Sequence, residues 1–269
     1  MPDNPKPASR PAPIPAATPL YPRKRAILVG ASSGMGAALA RRMAREGWLL
    51  ALLARRGEML EVLCEEINRQ YPEARAISYE HDVVDYTSVP ALLRRIVSEL
   101  GGLDVLVYSA GANDPPGLEH LDFSGDRHMM EVNALGAMAW MTPAAELFKG
   151  MGGGHIVGIS SVAGDRGRVG NPGYNTSKAA LSTYLEALRN RLTRHGVHIL
   201  TVKPGFVKTD MLKAAQGATP FAIEPEQAAE DIYTAIQKRR QTVYTPGRWR
   251  WIMLVIQHIP SILFRRMSF

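Results

Sequence analysis

Residues 25–47 read RAILVGASSGMGAALARRMAREG. After Arg25, Ala26–Val29 form an apolar run that stops at Gly30, the pattern of a strand buried on both faces. Beyond Gly36 the apolar positions recur at helical spacing until Gly47 ends them. Between strand and helix lies Gly30-Ala31-Ser32-Ser33-Gly34-Met35-Gly36. A glycine-rich turn of this kind aims backbone N–H groups and the positive end of a helix at an anion. Glycine permits the turn dihedrals and lets a diphosphate approach the backbone. The spacing is Gly-x-x-x-Gly-x-Gly, and a tight turn without a ligand is the competing reading.

The alternation continues outward from this unit. Strands are expected at 48–54 (WLLALLA), 74–82 (ARAISYEHD), 103–111 (LDVLVYSAG), 154–160 (GHIVGIS), 198–205 (HILTVKPG) and 242–247 (TVYTPG). Helices are expected at 57–71, at 88–102, from about 174 to 195 and at 224–240, the last with Pro225 in its first turn. Strands separated by helices of ten or more residues predict βαβ units and a parallel sheet, an α/β fold. The 269 residues suit one large domain, placed at 24–247. Residues 1–23 hold eight prolines and few large apolar side chains, and are expected to be a flexible tail. Cys64 is the only cysteine, so no internal disulfide can form and a reducing, cytoplasmic compartment is expected. No Cys/His cluster has metal-ligand spacing, and no metal is predicted. The net charge of +7 sits on the two ends of the chain, around a mildly acidic body. That distribution suits a membrane surface better than a face that reads nucleic acid, and no nucleic-acid partner is expected.

Three groups of residues carry chemistry. The second predicted strand ends at Ala54 and is followed by Arg55 and Arg56, where an NAD site would have a carboxylate for the ribose hydroxyls. Guanidinium forks suit a phosphate instead, which predicts NADP(H) with its 2′-phosphate on Arg55, assisted by Arg56. Tyr174 and Lys178 lie four residues apart at the start of a helix, on one face. An ammonium beside a phenol, with a positive oxidised nicotinamide, is expected to lower the Tyr174 pKa and make it a usable acid–base. Ser161 follows the strand at 154–160, where a hydroxyl can bind a carbonyl oxygen under attack; a serine that caps a loop is the plainer alternative. Ser160 points the other way and is expected to be structural.

Together, Gly30-x-x-x-Gly34-x-Gly36, Ser161, Tyr174-x-x-x-Lys178 and Pro204-Gly205 resemble the short-chain dehydrogenase/reductase family, over roughly residues 25–244. The resemblance implies a Rossmann-type doubly wound sheet of about seven strands in the order 3-2-1-4-5-6-7. It implies Tyr174 as acid–base, Ser161 as the group orienting the carbonyl, and Lys178 on the nicotinamide ribose. It likewise implies that Asn133 holds a water in the proton relay. Around the cofactor it places Gly30, Ser32, Ser33, Gly34, Met35 and Gly36, then Asp82 and Val83 at the adenine. Ala110 and Gly111 follow, then Pro204, Val207 and Thr209 at the nicotinamide amide. Two positions depart from the pattern: Val29 replaces a small or hydroxyl residue, and Tyr108-Ser109-Ala110-Gly111 replaces Asn-Asn-Ala-Gly.

The implied activity is hydride transfer between NADP(H) and a carbonyl or alcohol carbon, with a homodimer or homotetramer as the assembly. A catalytically silent, NADP(H)-sensing or lipid-binding protein is the alternative, against which the presence of both Tyr174 and Lys178 argues. Substrate contacts are expected from 112–118, 162–171 and 210–223. Residues 248–269 contain an uncharged run, Trp251–Phe264, between Arg248/Arg250 and Arg265/Arg266. Two readings stand for this segment. It either lies in a bilayer interface, on the inner face of a membrane, or packs on the core as a cleft cap or subunit contact. The first implies a lipophilic ketone such as a ketoacyl chain, a keto-sphingoid or a sterol.

Overall fold

The computed structural model describes residues 24–116, 120–213 and 219–267. The proline-rich tail at 1–23 and parts of two expected substrate loops, 117–118 and 214–218, lie outside these residues. Seven parallel strands form one sheet in the order β3-β2-β1-β4-β5-β6-β7. They are β1 (Arg25–Val29), β2 (Leu49–Ala54), β3 (Arg75–Glu80), β4 (Val105–Tyr108), β5 (Gly154–Ile159), β6 (Val197–Pro204) and β7 (Thr242–Thr245). The helices are α1 (Gly34–Ala44), α2 (Gly57–Gln70), α3 (Val89–Leu100), α4 (Phe123–Met130), α5 (Gly136–Met151), α6 (Pro172–Leu192), α7 (Asp210–Lys213), α8 (Pro225–Gln237), α9 (Trp249–His258) and α10 (Ser261–Phe264).

Successive strand residues point to opposite faces, and both faces are covered. Ala26 and Leu28 of β1 join the layer built with α1, α2 and α8. Ile27 and Val29 join the layer built with α3, α5 and α6. This is why Ala26–Val29 of β1 read as an unbroken apolar run. Strand order reverses between β1 and β4, and the crevice that opens there at the carboxyl ends is where such sheets hold ligands.

Helices α4 and α5 run on through a π-helical turn at Glu131–Leu135. Tyr108, where the family pattern has asparagine, supports this turn. Its ring is fully buried at the end of β4, and its hydroxyl donates to the Val132 carbonyl inside the widened turn. Gly136 makes room for it: a Cβ there would come within 2.5 Å of the Tyr108 hydroxyl. Burial holds that phenol neutral, far above its usual range.

Tyr108→Phe would leave the buried Val132 carbonyl without this donor. Urea unfolding is expected to show a loss of about 1–3 kcal/mol; unchanged stability would mean that the turn is held by other contacts.

Candidate active site

Gly30 has φ +88°, and a Cβ there would lie 2.3 Å from the Ala110 amide nitrogen. Only glycine lets the turn after β1 cross so close to the segment after β4. A Cβ on Gly36 would meet the Gly30 carbonyl oxygen at 2.1 Å, so the helix starts directly against the turn. Ser33 occupies the position before α1, but its side chain does not cap the helix, and the first turn carries no acidic residue. The N–H groups at this helix end are therefore left for an anion. Met35 packs on Val207, and Thr209 abuts Gly34, where a Cβ would lie 2.9 Å from the threonine methyl. The segment after Pro204, the last residue of β6, is thereby drawn to the mouth of the glycine turn. Val207 pairs with Ile223 in an isolated bridge.

Of the two arginines after β2, Arg56 is the one bound to the turn. It donates to the Ser32 hydroxyl at 2.9 Å and to the Ser33 hydroxyl at 2.6 Å. Arg55 is exposed and forms no hydrogen bond or ion pair among the described residues. Arg56 immediately precedes α2, and its side chain turns back over the turn after β1. Asp82 and Val83 follow β3. Asp82 accepts from the Val84 amide at 3.2 Å, and Val83 is buried.

Across the crevice, α6 begins at Pro172, and Asn171 caps it by accepting from the Tyr174 amide at 3.0 Å. The other end of the Asn171 amide donates to Asn113 at 2.8 Å, tying the loop after β4 to the same cap. Lys178, one turn on, is buried; its ammonium donates to the Ile159 carbonyl at 3.0 Å and sits 5.7 Å from the Tyr174 ring centre. Ser161 closes its own loop: its hydroxyl accepts from the Ala163 amide at 3.0 Å across the short 3-10 turn Val162–Asp165, and it lies near enough to the Tyr174 phenol to favour the phenolate. Ser160 is structural: its hydroxyl donates to the Lys178 carbonyl and meets Ser182.

Asn133 lies in the π turn and is fully buried. Its amide donates to the Ala112 carbonyl and the Ser177 hydroxyl, both at 2.9 Å, and accepts from the Ala112 amide at 2.8 Å. It joins the π turn, the loop after β4 and α6 at one point. Gly111 faces this junction: a Cβ there would lie 3.3 Å from Asn133 Oδ1 and 3.6 Å from Lys178 Nζ.

The protein's own charges do not bring the Tyr174 pKa down. Burial raises it, against smaller lowering effects from the neighbouring Ser161 hydroxyl and the nearby Arg168 guanidinium. Burial also pulls Lys178 from 10.5 to about 8, because its charge is taken out of water with one carbonyl as partner. Arg168, which the sequence reading did not single out, is half-buried; its main-chain carbonyl accepts from the Asn175 side-chain amide at 3.0 Å, and its guanidinium forms no ion pair among the described residues. Only folding of the loop 162–171 brings it near the phenol. Asn171, by contrast, carries a readable signal, an asparagine immediately before a proline that opens a helix.

The residues expected at 248–269 complete the surroundings. Trp249 lies directly on Gly205, where a Cβ would clash with the indole, and stacks edge-on with Phe206 at 5.7 Å. With Met253 it packs on Val162, beside Ser161. Arg166 donates to the Ile256 and Gln257 carbonyls at the end of α9. One face of α9 is therefore bound to the loops after β5 and β6. No described helix is long and apolar enough to cross a membrane.

A family model described as short chain dehydrogenase matches residues 24–219. A protein of Myxococcus xanthus described as an uncharacterized oxidoreductase is 35% identical over 244 residues, which cover 90% of this chain and 94% of its own. Among solved structures, a short-chain dehydrogenase from Sphingobium yanoikuyae in complex with NADPH superposes with a TM-score of 0.76 at 23% identity, covering 88% and 97% of the two chains. An actinorhodin polyketide ketoreductase with NADPH gives 0.75 at 26% identity, over 82% and 95%.

Two measurements follow from this geometry. The buried Lys178 ammonium opposes folding below about pH 8, and the penalty fades as pH rises towards 10.5, since the unfolded chain binds the extra proton in that window. The depression corresponds to about 3 kcal/mol. After allowing about 1 kcal/mol for the lost bond to Ile159, Lys178→Met should stabilise the protein by roughly 2 kcal/mol at pH 7 and by much less at pH 10. Destabilisation at pH 7 would contradict a buried charge. Arg56→Ala should weaken NADPH binding by about ten- to hundredfold and NADH binding little, while Arg55→Ala has the smaller effect; the opposite order would return the phosphate to Arg55.

Proposed function

Since the chain belongs to the short-chain dehydrogenase/reductase family of oxidoreductases, we propose that it reduces a ketone with NADPH. The observation that carries this reading is a buried Tyr174 phenol one helical turn from the Lys178 ammonium, which lies 5.7 Å from its ring centre, with the Ser161 hydroxyl nearby. A phenol kept protonated at neutral pH is a proton donor, and a donor is what reduction of a carbonyl requires.

A bound reduced dinucleotide supplies the hydride. The open N–H groups of the turn Gly30–Gly36 would hold its diphosphate, with Ser32, Ser33, Gly34 and Met35 lining that turn. Arg56 would take the 2′-phosphate, Asp82 and Val83 the adenine end, and Ala110 and Gly111 the middle of the crevice. Pro204, Val207 and Thr209 would hold the nicotinamide amide. The NADPH in the polyketide ketoreductase supports this choice of cofactor. Ser161 donates to the substrate carbonyl oxygen and fixes its direction. Tyr174 gives its phenolic proton to the oxygen as negative charge develops there. Lys178 would hold the nicotinamide ribose and, by its charge, would limit the cost of the phenolate left behind. A water returns the proton. Both amide hydrogens of Asn133 are already used, so the main-chain carbonyl of that residue, in the widened turn, is the group to hold the water.

A lipophilic substrate fits the cleft loops. Val169, Met211 and Phe221 expose large apolar surface on the loops after β5 and β6, and α9 supplies an apolar wall.

Tyr174→Phe should lower kcat for NADPH-dependent reduction of a ketone panel by about 10²–10⁴-fold while NADPH binding stays within a few-fold. Near-normal turnover in this variant would remove Tyr174 from the reaction. NADPH binding without turnover of any ketone by the unmodified protein would favour a silent, sensing role.

A further inference from the structure

The helix α9 is apolar on two sides. One side is used: Trp249 and Met253 are buried against Val162 and Phe206. The other is bare. Trp251 is 64% exposed and Val255 66%, with Leu254 beside them, and beyond Pro260 the exposed row continues through Ile262 and Leu263 of α10. A helix packed on one side has no folding reason to carry a second row of large apolar residues.

The charges around this row select its occupant. Arg248 and Arg250 stand at the start of α9, and Arg265 and Arg266 follow α10. Lys238, Arg239 and Arg240 precede them, and no acidic residue occurs after Asp231. Arg248 lies over the Phe221 ring and Arg250 over Trp251, so these cations border the apolar row. A second copy would be a poor partner. A two-fold contact through this face sets the segment against itself, arginines facing arginines with no carboxylate between them. An anionic surface with an apolar interior satisfies both features at once.

We propose that the outer face of α9 and α10 docks on the surface of an anionic lipid bilayer. Trp251, Val255 and Leu263 enter the interface and the arginines meet the headgroups. Ten residues of α9 and four of α10, broken at Pro260, lie along the surface and do not cross it. The docked face is continuous with the cleft rim, because Phe221 contacts Trp249 and the inner side of α9 packs beside Ser161. Docking therefore brings the crevice to the lipid, where an amphiphilic ketone concentrates. The binding itself does not depend on the reaction assigned above.

The test is co-sedimentation of the full-length protein with vesicles of phosphatidylglycerol and phosphatidylcholine, and with phosphatidylcholine alone. Binding is expected to the mixed vesicles, to fall steeply with added salt, and to be at least about tenfold weaker on neutral ones. Trp251→Ser with Val255→Ser, and separately Arg265→Gln with Arg266→Gln, should each weaken it by about tenfold or more, with unchanged melting temperature and unchanged reduction of a small soluble ketone. Equal binding by both variants, or no binding by the unmodified chain, would overturn the proposal. So would sedimentation equilibrium showing an oligomer that the Trp251/Val255 variant dissolves without any lipid.

Discussion

A charged amine buried at Lys178 is the feature on which the arrangement of the site depends. Taken out of water with one carbonyl for a partner, it destabilises the fold. It persists because everything near it is fixed. The Ile159 carbonyl ends a central strand, and Ser160 holds the Lys178 carbonyl. The turn through Gly164 lies against the backbone of α6 so closely that a Cβ there would be 2.6 Å from the Lys178 carbonyl carbon. Asn133 closes the other side through Ser177. A charge held this way can act on the neighbouring Tyr174 without first shedding water, which is how pre-organised sites gain their advantage.

The same elements explain why the crevice sits where it does. Reversal of strand order opens a gap between β1 and β4. Gly30 lets the backbone pass within reach of Ala110, and Thr209 folds back onto Gly34. The loops after β4, β5 and β6 are each tied to a neighbour at this end: by Asn113 to Asn171, by Arg166 to α9, and by Gly205 to Trp249. The C-terminal segment is therefore part of the frame of the site on one side and an unsatisfied surface on the other.

The sheet was legible because buried parallel strands are short apolar runs and the helices between them are long enough to show their period. Ser161, Tyr174 and Lys178 were legible because their spacing is a combination that chance rarely assembles. Residues 123–151 were not, since the π turn at Glu131–Leu135 and Pro143 within α5 break the helical stripe. Neighbours in sequence also cannot show which of two turns back. Only the start of α2 at Gly57 decides that Arg56, not Arg55, meets Ser32 and Ser33. The direction of the Tyr174 shift in the protein alone was not legible for a related reason. A spacing rule places an ammonium nearby but does not count the water removed from both groups, and here desolvation outweighs attraction.

The most direct test of this account is an ultraviolet difference titration of the protein against its Tyr174→Phe variant, without cofactor. The phenolate signal assigned to Tyr174 should appear only above pH 10, the ordinary value for a tyrosine. A signal that rises below about pH 8 would show that the neighbouring cations overcome burial, and would contradict the assignment of Tyr174 as a standing proton donor.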